Sequence, residues 1–395
     1  MNIGHCKLWM ALCMACCAMF SACRDDVMVV PMEVIDTGGQ VVRSEIVGMY
    51  LLNEGNMGSN KSTLDYLDLS GQDSTVHYLR NIYSERNPST VMSLGDVGND
   101  CQIYGSRLWL VINCSNKVEV ARASDAVRIG KVDIPNCRYV TFRGPCAYVS
   151  SYVGSVRAAG SSPLGSVYKV DTLTLQKLDS CAVGYQPEEM AIVGDRLYVA
   201  NSGGYQGMTG QGYESTVSVV DFSTMRETGK IEVAPNLHHL KADRHGQLWV
   251  TSRGDYMDQN SSIYWLEPGA DGRMQVGGHI DQPVSDLCIV GDSLYFYGSQ
   301  WSELTMTNTV TYGIINVQTH QVVSTSLSAA PEVKKIRMPY GIMVNPVHRD
   351  FYLMDAKNYV SSGELLHFLP DGTFDWKVKT GDIPAHAAFV EKVKR

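Results

Sequence analysis

Two short polar sequences carry the side chains best suited to acid–base or metal chemistry. They are His238-His239, with Asp243 nearby, and the carboxylate pair Glu188-Glu189. Imidazole and carboxylate groups serve as general acids and bases and as ligands for divalent cations. Adjacent residues of a regular strand point to opposite faces, so Glu188 and Glu189 are not predicted to share one site. The histidines are predicted to be structural, although they could instead be metal ligands in a central channel.

The chain has no motif for nucleophilic, nucleotide or zinc chemistry. G-x-S-x-G, a phosphate-binding loop and HExxH are all missing from the sequence. No cysteine spacing is typical of a zinc site. We therefore expect no catalytic residues, no bound metal, no cofactor and no enzymatic activity.

Aromatic, amide and arginine side chains in the long segments between apolar runs are better suited to binding. Tyr and Trp offer wide, rigid contact surfaces that also form hydrogen bonds. The candidate ligand-binding residues are Tyr83, Arg86, Asn87, Tyr152, Tyr185, Gln186, Tyr205, Asn236, Arg253, Tyr256, Trp301, Tyr340 and Tyr359. Any one of these tyrosines could instead fold back onto its own loop. Such a mixture favours non-covalent binding over bond breaking.

The segments between these loops form a repeat of short apolar strands. The stretch 186–221 reads as strand, Gly-Asp turn, strand, long loop and strand. An aromatic residue marks the second strand of each unit, at Tyr50, Trp109, Tyr148, Tyr198, Trp249, Tyr295 and Tyr352. A proline precedes the first strand of most units, where its missing N–H is harmless. Four-stranded units that recur about every 40–50 residues predict an all-β fold, a seven-bladed β-propeller over residues 46–395.

The two ends of the chain are predicted to close the ring. The first unit begins directly at its second strand, residues 46–52, and the last Pro-strand, residues 383–390, has no partner strand after it. We expect the C-terminal strand to become the innermost strand of the first blade, because closure removes exposed strand edges.

The lengths of the connections predict which end of the propeller binds. The first-to-second and third-to-fourth connections, such as Gly194-Asp195, are tight, whereas the second-to-third loops, such as 202–215 and 252–262, are long. In an antiparallel blade these two kinds of connection lie at opposite ends. Long loops in a compact domain are usually functional, so the long-loop end is predicted to be the working face.

Residues 1–22 are typical of a lipoprotein signal peptide. Lys7 gives the positive start, residues 8–20 the apolar stretch, and Ser21-Ala22 the small residues before Cys23. Cys23 is the predicted lipidation site, and residues 23–45 the lipidated tether. Its start, Arg24-Asp25-Asp26, resembles the acidic tag of Bacteroidota lipoproteins, which implies display on the cell surface at the outer membrane; an ordinary polar linker is the alternative. A net charge of -8 gives no electrostatic footprint for nucleic acid.

Six cysteines lie beyond the signal peptide and its junction. Cys114 and Cys137 fall in neighbouring loops, and an exported protein can form disulfides. A bridge between them is one hypothesis, and free buried thiols are the alternative.

The strands YVAN, YVSS and WVTS resemble those of YncE/YVTN-type seven-bladed propellers, over about residues 46–390. The sequences LLNEGNMGSNKSTLDYLDL, VGYQPEEM, SRGDY and TGDIPAHAAF, with the Cys-Arg-Asp-Asp start, resemble Bacteroidota surface lipoproteins of the BtuG type. This resemblance implies capture of cobalamin (vitamin B12) or another corrinoid and its transfer to an outer-membrane TonB-dependent transporter. Two alternatives stay open: a propeller hydrolase or lactonase with a metal at the channel mouth, and a transporter-docking scaffold that binds no small ligand.

Overall fold

The computed structural model describes residues 31–71, 74–89, 93–154, 162–207, 209–302 and 307–392. Its strands form seven antiparallel sheets, the blades of a β-propeller, which confirms the predicted fold class. Blade 1 contains β1 (Glu33–Gln40), β2 (Ile46–Asn53), β3 (Thr63–Asp68), β4 (Thr75–Arg80) and β29 (Pro384–Glu391); blade 2 contains β5 (Gly98–Tyr104), β6 (Arg107–Ile112), β7 (Lys117–Arg122) and β8 (Arg128–Asp133); blade 3 contains β9 (Cys137–Arg143), β10 (Cys146–Ser151), β11 (Ser166–Asp171) and β12 (Lys177–Ala182).

The remaining four blades continue in chain order. Blade 4 contains β13 (Pro187–Val193), β14 (Arg196–Asn201), β15 (Thr216–Asp221) and β16 (Arg226–Glu232); blade 5 contains β17 (Leu237–Ala242), β18 (Leu248–Ser252), β19 (Ser262–Pro268) and β20 (Met274–Ile280); blade 6 contains β21 (Asp286–Val290), β22 (Ser293–Ser302), β23 (Thr307–Asn316) and β24 (Gln321–Ser324); blade 7 contains β25 (Pro339–Val344), β26 (Phe351–Asp355), β27 (Ser362–Phe368) and β28 (Phe374–Asp382).

The C-terminal strand closes the ring, as predicted. β29 pairs with β2, with Tyr50 opposite Ala388 and Leu52 opposite His386. The innermost strands β29, β5, β9, β13, β17, β21 and β25 each contact the next around a central channel. β1, which lies in the segment expected to be a tether, adds a fifth strand to blade 1 by pairing with β4.

The repeated aromatics pack between the blades. Trp109, Trp249 and Tyr352 are buried in three separate apolar clusters, each of which joins neighbouring blades. Tyr295 is only partly buried, and the adjacent Phe296 fills the interior position of blade 6. The aromatic repeat is therefore a packing repeat that sets the spacing between blades.

Turns and loops separate to the two ends of the propeller, as their lengths predicted. β13 and β14 are joined by the two-residue turn Gly194-Asp195, in which Gly194 has φ +59°. A left-handed residue at this place suits a tight hairpin and favours glycine. At the other end, the loop after β14 contains the short helix α2 (Gly204–Gly207).

Six of the seven innermost strands contain a β-bulge near their first residues. In β17, His238 and His239 together oppose the single residue Thr251, between the pairs Leu237–Ser252 and Leu240–Val250. β21 instead pairs with β22 in continuous register. A bulge breaks strict alternation, so two consecutive residues can turn towards the channel.

Helices are few and short in the described part of the chain. They are α1 (Ile82–Arg86), α2 and a 3-10 turn at Val333–Lys335. None of the described helices is long and apolar enough to cross a membrane. Cys23 and the rest of the predicted signal peptide lie outside the described residues.

The hypothesis of a Cys114–Cys137 disulfide is wrong in this structure. Both are free thiols, with Cys114 exposed and Cys137 buried in the core of blades 2 and 3. The Cys137 thiol contacts the Lys117 carbonyl oxygen at 3.3 Å and points away from solvent.

Candidate functional site

The channel opens at the long-loop end through a ring of polar side chains, which we call the mouth. Its members are Arg138, Glu188, His238, Arg253 and Tyr340 with their immediate neighbours. Four of these five come from the bulged starts of innermost strands. Just before three of those strands, Asn136, Gln186 and Asn236 adopt left-handed backbone angles (φ +45°, +45° and +60°) that turn the chain into the channel.

Arg138 and Glu188 form a buried ion pair across blades 3 and 4. Arg138 Nη2 lies 3.0 Å from Glu188 Oε2. The Tyr152 hydroxyl donates a hydrogen bond to the other carboxylate oxygen, and the Arg138 guanidinium lies 5.0 Å from the Tyr152 ring centre. The positive charge of Arg138 is therefore neutralised within the protein.

His238 is a neutral base that is partly open to solvent. Its Nε2 lies 3.0 Å from the Tyr139 hydroxyl oxygen, so side chains from β9 and β17 meet over the channel. Burial, the nearby Arg253 charge and His239 hold the pKa of His238 well below its usual range. Burial also raises the pKa of Tyr139 well above its usual range, so its hydroxyl keeps its proton.

Arg253 differs from Arg138 because no described carboxylate forms an ion pair with it. Its backbone N–H donates to the Asn236 carbonyl oxygen at 3.0 Å, which fixes the loop after β18 at the mouth. Its positive charge acts to lower the pKa of His238 and of the Tyr152 and Tyr340 hydroxyls, so the guanidinium lies near these three side chains. An uncompensated guanidinium in such surroundings is suited to binding a negative charge.

The opposite side of the mouth is acidic but internally paired. Glu54 accepts a hydrogen bond from the Tyr340 hydroxyl at 3.1 Å and lies 3.3 Å from His386 Nε2. Glu54 and burial raise the pKa of Tyr340 well above its usual range. Although burial opposes it, the hydrogen bond to Glu54 raises the pKa of His386, which favours an imidazolium–carboxylate pair.

A second charged layer lies below the mouth. Glu189 contacts the Lys241 ammonium, and its Oε2 lies 3.0 Å from His239 Nδ1. His239 Nε2 lies 3.6 Å from Asp286 Oδ1. Burial acts to raise the pKa of Glu189, but the contacts with Lys241 and His239 outweigh it and lower that pKa to about 2. The charges of Glu189 and Lys241 are therefore paired within the protein, and the His239 ring links Glu189 to Asp286.

Metal ligation was expected only under the lactonase alternative. Among the described residues, no group of three or more His, Cys, Asp or Glu side chains is arranged to hold a metal ion. The chemistry available at the mouth is therefore that of a guanidinium, a neutral imidazole and several tyrosine hydroxyls.

The structure brings five of the thirteen predicted binding residues to the mouth. Tyr152, Gln186, Asn236, Arg253 and Tyr340 lie there, while Tyr185, Tyr205, Tyr256 and Tyr359 lie in the surrounding loops. The exposed fraction is 43% for Tyr205, 70% for Tyr256 and 37% for Tyr359. The side chain of Trp301 lies outside the described residues.

Tyr83, Arg86 and Asn87 do not lie on the long-loop face, contrary to their predicted position. Tyr83 packs in the core between blades 1 and 2. The Asn87 amide donates to the carbonyl oxygens of Tyr83 and Ala126, and Ala126 lies in a tight turn of blade 2 at the opposite end. The cause is helix α1, which carries the crossover down the side of the blade.

Sequence reasoning missed the residues that carry most of the charge at the mouth. Arg138 and Glu54 were not considered, Glu188 was not expected to share a site with Glu189, and His238 was interpreted as structural. A signal was present, because the units Asn-Cys-Arg-Tyr, Gln-Pro-Glu-Glu and Asn-Leu-His-His begin at residues 136, 186 and 236. Each has a turn residue followed by two polar residues inside a buried strand.

The comparisons with known proteins identify the fold and no narrower family. No family profile and no curated protein matches this chain. The periplasmic gluconolactonase of Pseudomonas aeruginosa is 13% identical, with a TM-score of 0.56, and the match covers 87% of this chain and 99% of that one. A Bacteroides uniformis protein assigned as a 6-phosphogluconolactonase is 12% identical, with a TM-score of 0.57, over 88% of this chain and 100% of that one. A Bacteroides fragilis protein of the same assignment is 10% identical, with a TM-score of 0.55, over 89% and 100%.

These neighbours correct one prediction made from the sequence. The expectation that the chain is not an enzyme is wrong, because proteins named for lactonase activity share its propeller over almost nine-tenths of its length. The missing sequence motifs do not exclude catalysis on this fold. At 10–13% identity the likeness itself shows the fold alone, and the specific resemblance to corrinoid-binding lipoproteins stays a prediction.

Proposed function

We propose that this protein is a hydrolase that opens lactones or related esters at the mouth of its channel. One observation carries the proposal: Arg253, a cation with no described carboxylate partner, lies beside His238, an imidazole held neutral. Ester hydrolysis needs a base that is free at neutral pH and a donor for the negative charge that develops on the carbonyl oxygen. The fold shared with proteins named as lactonases supports this choice.

In the proposed reaction, Arg253 donates hydrogen bonds to the carbonyl oxygen of the substrate. His238 accepts a proton from a water molecule as the water oxygen bonds to the carbonyl carbon. The ring C–O bond then breaks, and the proton passes from His238 to the departing alkoxide oxygen. The product is a hydroxy acid that releases its carboxyl proton to solvent, and its carboxylate remains opposite Arg253. No oxidant, reductant or further reactant is needed.

Tyr139 orients the base in this scheme. Among the described residues, the hydrogen bonds of the His238 ring go only through Nε2, to the Tyr139 hydroxyl at 3.0 Å. In this scheme Nε2 carries the proton and donates to the Tyr139 oxygen, so the unprotonated Nδ1 is left to accept a proton from water. Tyr139 is therefore a positioning residue, and it stays uncharged because its own pKa is raised.

The test is acid release from glucono-δ-lactone, followed at constant pH against spontaneous hydrolysis. We expect turnover by the wild type, and loss of most of it in both Arg253→Ala and His238→Gln. Arg244→Ala is the matched control, because Arg244 lies in a turn at the opposite end of the propeller and is largely exposed. Wild-type rates equal to the spontaneous rate for this lactone and for simple γ-lactones would refute the proposal. An Arg253→Ala variant as active as Arg244→Ala would refute the assigned site.

Corrinoid capture is a second candidate, favoured by the exposed loops around the mouth. Tyr256 and Met257 project from one of these loops and Met57 from another, with exposed fractions of 70%, 88% and 78%. A flat, amide-edged macrocycle suits such a broad rim of aromatic and apolar side chains. Under this proposal Cys23 carries a lipid anchor at the outer-membrane surface and a TonB-dependent transporter receives the ligand. Co-migration of cyanocobalamin with the protein on size exclusion is expected, and elution of all colour at the small-molecule volume would count against it.

A further inference from the structure

A groove of about 750 Å³ lies beside the mouth, over blades 2 and 3. Met57, Cys114, Pro135, Gly154 and Tyr205 are among its lining residues. They come from loops of four consecutive blades at the long-loop end. The volume is in the range of pockets for drug-sized ligands, so the groove exceeds the needs of one small lactone ring.

One side chain, Tyr152, stands between the groove and the mouth. On the groove side, its ring centre lies 6.2 Å from that of Tyr205. On the mouth side, its hydroxyl donates to Glu188. Asn136, which also lines the groove, precedes the mouth residue Arg138 by two positions. A molecule bound at the mouth can therefore extend over Tyr152 into the groove.

Most polar groups of the groove wall are already engaged. The Asn113 amide donates to Asn136 Oδ1 at 2.6 Å, and the Asn136 amide donates to the Gly154 carbonyl oxygen at 3.0 Å. The Asp133 carboxylate forms an ion pair with Lys131 at 2.7 Å. What remains for a ligand is chiefly the surface of Met57, Pro135 and the Tyr205 ring. This wall matches an uncharged, largely apolar group.

We infer that the groove holds the part of the substrate remote from the reacting ester. The substrate is then a lactone or ester with a bulky apolar extension, and a bare sugar-acid lactone fills only the mouth. This inference rests on the proposed hydrolase function and adds a substrate class to it. The extension contributes binding through apolar contact with Met57 and Tyr205.

Cys114 offers a way to block the groove without altering the mouth. It is the one exposed thiol among the described cysteines. Burial of its sulfur and the nearby Asp96 raise the pKa of the Cys114 thiol, so labelling is done at mildly alkaline pH before assay at neutral pH. Fluorescein maleimide is the large label, and methyl methanethiosulfonate, which adds only a methylthio group, is the size control. Cys114→Ser, treated identically, controls for labelling elsewhere.

The experiment compares γ-butyrolactone with γ-dodecalactone as substrates of the full chain. We expect kcat/KM to be at least tenfold higher for the long lactone. The large label should remove this advantage and leave the short lactone unaffected, whereas the small label and labelled Cys114→Ser should retain it. Equal kcat/KM for both lactones, or an advantage that survives the large label, would overturn the inference and leave the hydrolase proposal standing.

A binding measurement separates failure of the two proposals. If neither lactone is hydrolysed, the hydrolase proposal fails, and calorimetry with 4-hydroxydodecanoate and 4-hydroxybutanoate then tests the groove alone. Tighter binding of the long acid that is lost on large labelling supports the groove as an apolar subsite. Equal affinity for both acids, or no binding of either, overturns it.

Discussion

The mouth and the deep layer of the channel share the bulged starts of β13 and β17, yet their charged groups are paired to different extents. In the deep layer, Lys241, Glu189, His239 and Asp286 form a continuous chain of polar contacts that includes the Lys241–Glu189 ion pair. At the mouth, Arg138 is paired with Glu188, but Arg253 has no carboxylate partner among the described residues. The charged groups of the deep layer contact one another, whereas at the mouth Arg253 is left to bind a ligand.

This difference separates structural from functional charge within one channel. Buried charges are tolerated when they are paired, and removing one partner is costly. An unpaired cation next to a base with a lowered pKa is instead the arrangement that functional sites favour. The comparison predicts that deep-layer substitutions act on stability and mouth substitutions act on activity.

The largest effect is expected for Glu189→Ala. Removing this carboxylate leaves Lys241 and His239 buried without their partner, and we expect the free energy of unfolding to fall by about 3–5 kcal/mol. Urea unfolding followed by fluorescence measures it. Glu188→Gln, at the mouth, is the companion variant, and its free energy of unfolding is measured in the same way. A loss below about 1 kcal/mol for Glu189→Ala would show that the deep layer is not structural.

Next in size is Arg253→Ala, which should act on catalysis and spare the fold. We expect kcat/KM for lactone hydrolysis to fall about 100-fold, which corresponds to ~2.7 kcal/mol of transition-state stabilisation. The free energy of unfolding should change by less than about 0.5 kcal/mol, as for other substitutions without a buried partner. Arg253→Lys keeps the charge without the planar fork, and should recover only part of the activity. A large fall in the free energy of unfolding would instead show that Arg253 stabilises the fold.

The two layers should also respond to acid in different pH windows. Glu189 has an ordinary pKa of 4.5 and a folded pKa of about 2. Its contribution to stability is therefore complete above pH 4.5 and is lost as the pH falls from there towards 2. His238 has a lowered folded pKa, so the unfolded chain binds its proton first, and the folded state loses stability as the pH falls below about 6.5.

Denaturation midpoints between pH 7 and 3 distinguish these windows. His238→Gln should flatten the part of the curve that begins near pH 6.5, by up to about 1.4 kcal/mol per pH unit. Glu189→Gln should flatten only the part below pH 4.5. Identical pH profiles for the two variants and the wild type would contradict the assigned shifts.

The smallest effect is expected for Tyr139→Phe, which removes the hydroxyl that holds His238. We expect kcat to fall about fivefold, close to 1 kcal/mol, with KM nearly unchanged. Because the partner of Nε2 is lost, the acid limb of the pH–rate profile should also move. An unchanged profile with a lower melting temperature would assign Tyr139 to packing alone.

The fold was predictable because its signals are local and repeated. The aromatic at Trp109 or Trp249 recurs because each blade must fill the same gap against its neighbour. Closure by β29 was predictable because the first repeat unit lacks its first strand and the last strand of the chain has no unit of its own. Position on the long-loop face was harder to predict, since loop length does not show that α1 carries Tyr83 and Asn87 down the side of a blade.

The site was less predictable because bulges break the alternation used to read strands. Glu188 and Glu189 were assigned to opposite faces, yet both are buried in the channel and contact different neighbouring blades, through Arg138 and His239. Register shifts of this kind depend on pairing with the second strand, which a single sequence does not reveal. The lowered pKa of His238 likewise comes from burial and then from Arg253, which lies beyond the next strand in the chain.

The bulges also bear on how such a channel changes its chemistry over time. At each bulge the hydrogen-bond ladder is already interrupted, so an exchange of side chain there disturbs no regular pair of the sheet. Side chains of the mouth can consequently be exchanged while the strands of the propeller keep their arrangement. Proteins with little sequence in common can thus keep one architecture, as this chain and its neighbours do at 10–13% identity.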